Sequence, residues 1–231
     1  MKYHKDLREH IQRLESSGNL IRIKREINKD TELMPLVRCQ FRGLPEKDRK
    51  SFLFENVIDA KGKKYNVPVL IGSHAASREG YAIGMNCKQE EIAEKWAQAR
   101  RNPIAPRIVD SGPVHDEIHQ GNKLMEHGCL EEFPVPISTP GFDNAPYFTA
   151  ANWVSKDPEN GIRNVGNYRG MIKSATRVGI MNPPIKDLRV QWEKCRRMGK
   201  PLEAAIVIGP VPAVGYCSAV RFPYEVDGLA V

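Results

Sequence analysis

The sequence predicts a mixed α/β (α+β) protein in two parts, an α/β unit over residues 1–110 and a mostly β unit with one helix over 111–231. Three observations carry that expectation. Amphipathic helical periodicity opens the chain at 6–16 and returns at 88–101. Between these helices, short runs of β-branched and aromatic residues alternate or cluster as strands do. Beyond residue 102 the texture changes: Pro103, Pro106 and Pro113 interrupt the chain, and β-prone runs bounded by turn residues follow.

Along 6–16, Leu7, Ile11 and Leu14 recur at helical spacing. Asp6 is placed to cap with Glu9 three positions on, and Gly18 fits the C-terminal stop. Residues 20–27 alternate, with Ile21 and Ile23 on one face and Arg22 and Lys24 on the other, which predicts a half-buried strand. Further strands are predicted over 51–57 (SFLFENV) and 67–71 (VPVLI), separated by the turn-prone stretch 59–66. The second lacks alternation and is expected to be buried on both faces. Residues 88–101 predict the clearest helix. Ile92, Trp96 and Ala99 form its stripe, with Glu90 and Glu91 at its positive end and Arg100 and Arg101 at its negative end.

Residues 102–113 read as a linker, and 133–145 as a proline-rich loop. A strand is predicted over 147–155. The turn DPENG at 157–161 then leads into a second β-prone run over 163–173, so the two form a hairpin. Residues 187–198 predict a helix carrying Leu188, Trp192 and Cys195, and 204–208 (AAIVI) a buried strand.

Composition narrows the partners. The formal charge is +7, but basic residues are spread along the chain and acidic ones interrupt their runs, as Glu46 and Asp48 do around Lys47. A nucleic-acid reader gathers its charge on one face with interleaved aromatics, so no nucleic-acid partner is expected. Cys39, Cys87, Cys129, Cys195 and Cys217 are widely spaced and odd in number, which fits reduced thiols. The longest apolar run, 204–220, is broken by Gly209, Pro210, Pro212 and Gly215, so no membrane span is expected. The opening MKYHKDLREH has no apolar signal region, and a cytoplasmic address follows.

There is no GxGxxG, Walker A, HExxH or GxSxG motif. His115, His119, His127 and Cys129 cluster in sequence. The i, i+4 spacing of His115 and His119 would put both on one helical face, as a metal site can require. A polar surface helix beside Asp116 and Glu117 is the stronger reading. The run Asn164-Val165-Gly166-Asn167-Tyr168-Arg169 offers more. An amide oxygen can ligate a hard cation, glycine lets backbone approach a flat ligand, and arginine grips a carboxylate or phosphate with two parallel bonds. An ordinary strand with an exposed arginine is an equal alternative.

Taken together, DLREHIQRLESSGNLIRI, LFENV, PVLIGS, FPVPISTPGFDNAPYFTAA, VSKDPENGIRNVGNYRGM, LEAAIVIGPVPA and FPYEVDGLAV resemble the UbiD family across nearly the whole chain. DPENGIRNVGNYR is the most specific block. The resemblance implies an N-terminal α/β domain, then a flavin-reductase-like split β-barrel that is incomplete here. It implies carboxy-lyase activity with prenylated FMN on an aromatic or α,β-unsaturated acid, taking up or releasing CO2. Asn164 would ligate a divalent cation, usually Mn2+. Gly166, Asn167, Tyr168 and Met181 would lie along the flavin, and Arg169 would hold the substrate carboxylate as the catalytic residue. Cys217, Ser218 and Val220 match the loop that helps seat K+ and the phosphate end. A homo-oligomer or a partner subunit is implied as well.

Three departures from the family pattern stand out. The metal-binding histidine expected after the NVGxYR block is missing from GIMNPPIKDLRVQW, where Ile185 aligns to it and Asp187 offers a replacement. Glu225 and Gly228 stand where a glycine and an acid are usual. The family's catalytic acids are expected beyond Val231, so this chain alone is expected to be inactive. The alternative is a natural short subunit that binds cofactor or stabilises an assembly in which another chain supplies the acids.

Overall fold

The computed structural model describes residues 3–231. Helix α1 (Leu7–Ser16) is capped as the sequence predicts: the Asp6 carboxylate accepts from the Glu9 amide at 2.9 Å, and Glu9 accepts from the Lys5 amide at 2.6 Å. Gly18, at φ +72°, turns the chain into β1 (Leu20–Asn28). This strand pairs in parallel with β2 (Ser51–Ile58), whose first four residues are all buried. Parallel neighbours need a crossover. It is supplied by α2 (Leu33–Gly43), which sets Leu33 and Val37 into one core with Ile27, Phe52, Phe54 and Val57. Sequence periodicity does not reveal α2 because Pro35 reads as a breaker. In the first helical turn, however, its missing N–H would have had no partner anyway.

On the other side of β2 lie β3 (Lys64–Tyr65) and β4 (Val69–Ile71), both antiparallel to it. VPVLI is therefore an edge strand with half-buried residues, not one buried on both faces. Helices α3 (Arg78–Met85) and α4 (Ile92–Arg101) follow. The glycines of α3 hide it in the sequence, and Gly84 is where the Tyr216 ring rests: a Cβ there would lie 2.9 Å from Tyr216 Cζ.

His10 on α1 is fully buried. Its Nε2 donates to the Ser73 carbonyl at 2.8 Å, while Nδ1 has no partner. Burial drives its pKa down from 6.5 to about 4, against the pull of the Ser73 bond. The unfolded chain therefore takes up this proton first as pH falls. The stability associated with neutral His10 is complete above about pH 6.5 and is lost progressively toward pH 4, by about 3 kcal/mol in all. Urea melts at both ends of that window should show a smaller acid loss in His10→Gln than in the wild type; equal losses would remove His10 as the source.

Residues 102–146 carry only short 3-10 turns. No helix holds His115 and His119 together, since the turn Pro113–His115 ends before His119. After this come β5 (Tyr147–Phe148), β6 (Asn152–Lys156), β7 (Arg163–Asn167), β8 (Gly170–Ser174) and β9 (Arg177–Ile180). Then follow α5 (Asp187–Arg197), β10 (Ala204–Val207) and α6 (Pro212–Ala219). The strands form two three-stranded antiparallel sheets, ordered β10-β6-β7 and β5-β8-β9. No closed barrel exists among the described residues.

The predicted hairpin is present. The Asp157 amide donates to the Ile162 carbonyl at 2.8 Å, and Asp157 Oδ1 accepts from the Glu159 amide at 2.8 Å and the Asn160 amide at 3.3 Å. Each predicted long strand is nevertheless two strands in two sheets, broken at 149–151 and again at Tyr168 and Arg169. At the second break, Trp153 Nε1 donates to the Tyr168 carbonyl at 3.0 Å, taking a backbone group that an unbroken ladder would need. Helix α5 buries Leu188, Gln191 and Cys195. Trp192 is turned outward beneath the guanidinium groups of Arg189 and Arg196. AAIVI becomes an edge strand whose first two residues are exposed, not a buried one. All five cysteines are free. No helix among the described residues is long and apolar enough to cross a membrane.

Candidate functional site

The site grows from β7, the free-edge strand of its sheet. Side chains alternate along it, so Asn164 and Gly166 share one face and Val165 takes the other. Val165 packs against Cys217 and Phe222, which anchors the strand. On the opposite face the Tyr168 ring folds back over Gly166, and its hydroxyl accepts from Asn164 Nδ2 at 3.2 Å. Burial raises the Tyr168 phenol pKa, and the Asn164 contact opposes that rise. A Cβ on Gly166 would lie 2.7 Å from Tyr168 Cζ and from its hydroxyl oxygen. Gly166→Ala should therefore displace the ring, break the Asn164 contact and destabilise the protein by about 1–3 kcal/mol. A urea melt unchanged from wild type would show that the ring has room to spare.

The bond uses Nδ2, and the Asn164 carboxamide oxygen has no donor among the described residues. Asn164 and Asp187 line one cavity of about 20 Å3, together with Gln191, Tyr224 and Gly228. That volume holds about one water. Burial pushes the Asp187 carboxyl pKa up, while Arg221 and Lys186 pull it back. The two oxygens are of the type a hard divalent cation takes, though fewer than such an ion needs. Ile185 is exposed and does not line this cavity, and neither does any histidine.

Arg169 lies in the break between the two sheets. Its Nη2 reaches both Asp143 oxygens, at 3.2 and 3.3 Å, and its guanidinium sits 4.4 Å from the Tyr147 ring centroid. Asp143 is itself held in place, accepting from the Thr139 amide at 2.9 Å. Neither Nε nor Nη1 of Arg169 bonds to a described residue, and 55% of the side chain is exposed. Asp143 and Tyr147 were not singled out from the sequence. The available signal was an acid and an aromatic four residues apart in PGFDNAPY.

The remaining predicted residues divide. Met181 is 83% exposed, one step beyond the Gly170–Ile180 pair that borders Arg169. Asn167, Cys217 and Ser218 belong to the Val165 side of β7, away from Asn164 and Gly166. There Ser218 Oγ accepts from Asn152 Nδ2 at 2.8 Å and donates to the Gly215 carbonyl at 2.8 Å. Cys217 is buried, which raises its thiol pKa. Asn152, paired across the ladder with Asn167, is 1% exposed, and its Oδ1 has no hydrogen-bond partner. That orphaned oxygen is a further candidate ligand, hidden in the sequence within an apolar run.

The chain is similar to known proteins over nearly its whole length. The model of the 3-octaprenyl-4-hydroxybenzoate carboxy-lyase Rift-related domain (UbiD) matches residues 107–231, and the model of the corresponding N-terminal domain matches 11–100. A phenolic acid decarboxylase of Sedimentibacter hydroxybenzoicus is 30% identical over 237 residues, covering 97% of this chain and 46% of the relative. Among solved structures, the UbiD-class enzyme HmfF from Pelotomaculum thermopropionicum in complex with FMN superposes with a TM-score of 0.82. It is 34% identical over 97% of this chain and 47% of its own. The vanillic acid decarboxylase of S. hydroxybenzoicus, in closed form, gives a TM-score of 0.83 at 27% identity, covering 99% of this chain and 48% of its own. The chain thus spans about half the length of the relatives it matches. On the match of more than half its length to the carboxy-lyase model, the chain belongs to the UbiD family.

Proposed function

We propose that this chain carries the cofactor-facing and carboxylate-binding part of a UbiD-type carboxy-lyase. The enzyme would add or remove CO2 on an aromatic or α,β-unsaturated carboxylic acid with prenylated FMN. One observation carries the reading. The Arg169 guanidinium is fixed by Asp143 and Tyr147, presents Nε and Nη1 unpaired, and stands beside the Gly166–Tyr168 platform. Guanidinium N–H groups with no partner among the described residues suit a substrate carboxylate, to which they give charge-assisted hydrogen bonds.

The donor sets fit the implied groups in part. Asn164 and Asp187 would hold a divalent cation such as Mn2+, with Asp187 standing in for the missing histidine. Asn152 Oδ1, beside Ser218, suits a monovalent cation such as K+ or a water. Gly166, Tyr168 and Met181 would border the flavin, with Asn167, Cys217 and Ser218, reached around the free edge of β7, nearer its phosphate. When bound, the cofactor supplies the electron sink as the carbon–carboxylate bond breaks. The protein's task is to hold the carboxylate at Arg169, with Asp143 keeping the guanidinium aimed. We further place a domain divide near residue 110 and the protein in the cytoplasm, as a homo-oligomer or with a partner subunit.

The test is to purify the full-length protein from a host that makes prenylated FMN. Flavin absorbance is then read, along with the exchange of labelled bicarbonate into a panel of aromatic and unsaturated acids. Bound flavin with exchange on at least one acid is expected. A protein that takes up no flavin would overturn the reading.

A further inference from the structure

Residues 110–127 contain no buried residue and are held by little beyond 3-10 turns. Such a segment lacks the apolar burial that normally offsets the entropy of ordering a chain. Within it three metal-type side chains converge. His119 Nε2 lies 2.9 Å from Glu117 Oε1, and His127 Nε2 lies 3.7 Å from that same oxygen. The two imidazoles meet edge to face at 4.6 Å, and one ligand atom from each of the three residues falls within 4.8 Å of the others. The fourth group is Glu126, whose Oε2 stands 3.5 Å from His119 Nδ1. That nitrogen is shielded from solvent and makes no hydrogen bond.

We propose that Glu117, His119 and His127 form a transition-metal site, best suited to Zn2+, that staples the first stretch of the region matched by the carboxy-lyase model. Two imidazole nitrogens and one carboxylate oxygen are a borderline-soft set, which favours Zn2+ over the hard cations suited to Asn164 and Asp187. Tetrahedral zinc with bonds of about 2.0–2.2 Å wants its ligand atoms roughly 3.3 Å apart, so small side-chain rotations close the triad. Binding at Nε2 leaves His119 Nδ1–H to donate to Glu126, the outer carboxylate that commonly orients a zinc-bound imidazole. Water takes the fourth position. His115 and Cys129, neighbours in sequence, are not part of the group.

The experiment is a titration of the metal-free full-length protein with Zn2+ by calorimetry, and with Co2+ by visible absorption. It is repeated in His119→Gln, His127→Gln, the double variant and Asn164→Ala. One equivalent of Zn2+ is expected, with affinity lowered at least tenfold in each histidine variant and unchanged in Asn164→Ala. Co2+ should give ligand-field bands without thiolate charge transfer, and Zn2+ should slow proteolysis within 110–127. His127 is largely exposed, and the half-buried His119 lies in a segment with no buried residue, so the variants should keep the wild-type circular dichroism spectrum. Zinc binding retained in the double variant, a thiolate band, or no binding at all would overturn the site.

Discussion

Replacing Arg169 with alanine in the full-length enzyme is expected to lower kcat/KM by roughly 10^3-fold, about 4 kcal/mol of lost transition-state binding, while bound flavin stays near the wild-type ratio. The separation between the two readouts follows from the geometry. Arg169 makes its protein contacts with Asp143 and Tyr147, in the β5-β8-β9 region, whereas Gly166 and Tyr168 hold each other without it. Truncation therefore removes two substrate-facing donors and leaves the platform intact. Arg169→Lys should recover little, because a single ammonium cannot hold Asp143 with one nitrogen while offering two others to the substrate. Steady-state kinetics beside flavin absorbance decide the matter. Near-normal turnover in Arg169→Ala would sink the carboxylate role, and loss of flavin alongside activity would make Arg169 a cofactor residue instead.

The second large effect is expected on stability. The Asp157 side chain is wholly buried, and its carboxylate accepts from Lys194 at 2.7 Å, from the Tyr224 hydroxyl and from the turn amides of Glu159 and Asn160. Asp157→Ala strands the Tyr224 hydroxyl and leaves Lys194 with Glu159 alone, at 2.9 Å on the surface side. A loss of about 3 kcal/mol is expected, lowering Tm by roughly 6–12 °C. Asp157→Asn, which keeps the turn acceptor, should lose about half as much. Burial alone would raise the Asp157 pKa, but Lys194 and Tyr224 outweigh it and hold the group at about 2 against an ordinary 3.8. Its folded pKa is thus depressed. The stabilisation is present above about pH 4 and drains away as pH falls toward 2. Thermal melts across that range should show a steeper acid loss in wild type than in Asp157→Asn; identical curves would dismiss the charge as a source of stability.

Features set by neighbours a few residues apart were legible in the sequence. The Asp6 cap and the DPENG hairpin both rest on side chain–backbone bonds spanning two or three residues, so their spelling suffices. Helix α6 was not legible: it begins at a proline and is apolar nearly all round, so no periodic stripe marks it. The strand breaks were equally hidden, since the Trp153 bond that ends β7 is a tertiary contact and 147–155 reads as one continuous β-prone run. At the site, the chemistry of Asn164 through Arg169 was readable as a cluster of residue types. The partner that aims Arg169 sits 26 positions away, and local pattern cannot choose Asp143 among 28 acidic residues.

The pairing of β6 with β7, from Lys156 opposite Arg163 to Asn152 opposite Asn167, makes the short turn between them a ruler. A single residue inserted or deleted within 157–161 would shift the ladder by one place and exchange every inward and outward position along β7. Val165 would leave its apolar seat, and Asn164 and Gly166 would be carried to the face covered by α6. Two residues gained or lost would keep the faces and only slide the strand lengthwise. Length variation here should therefore be tolerated in pairs and rejected singly, whatever residues are involved.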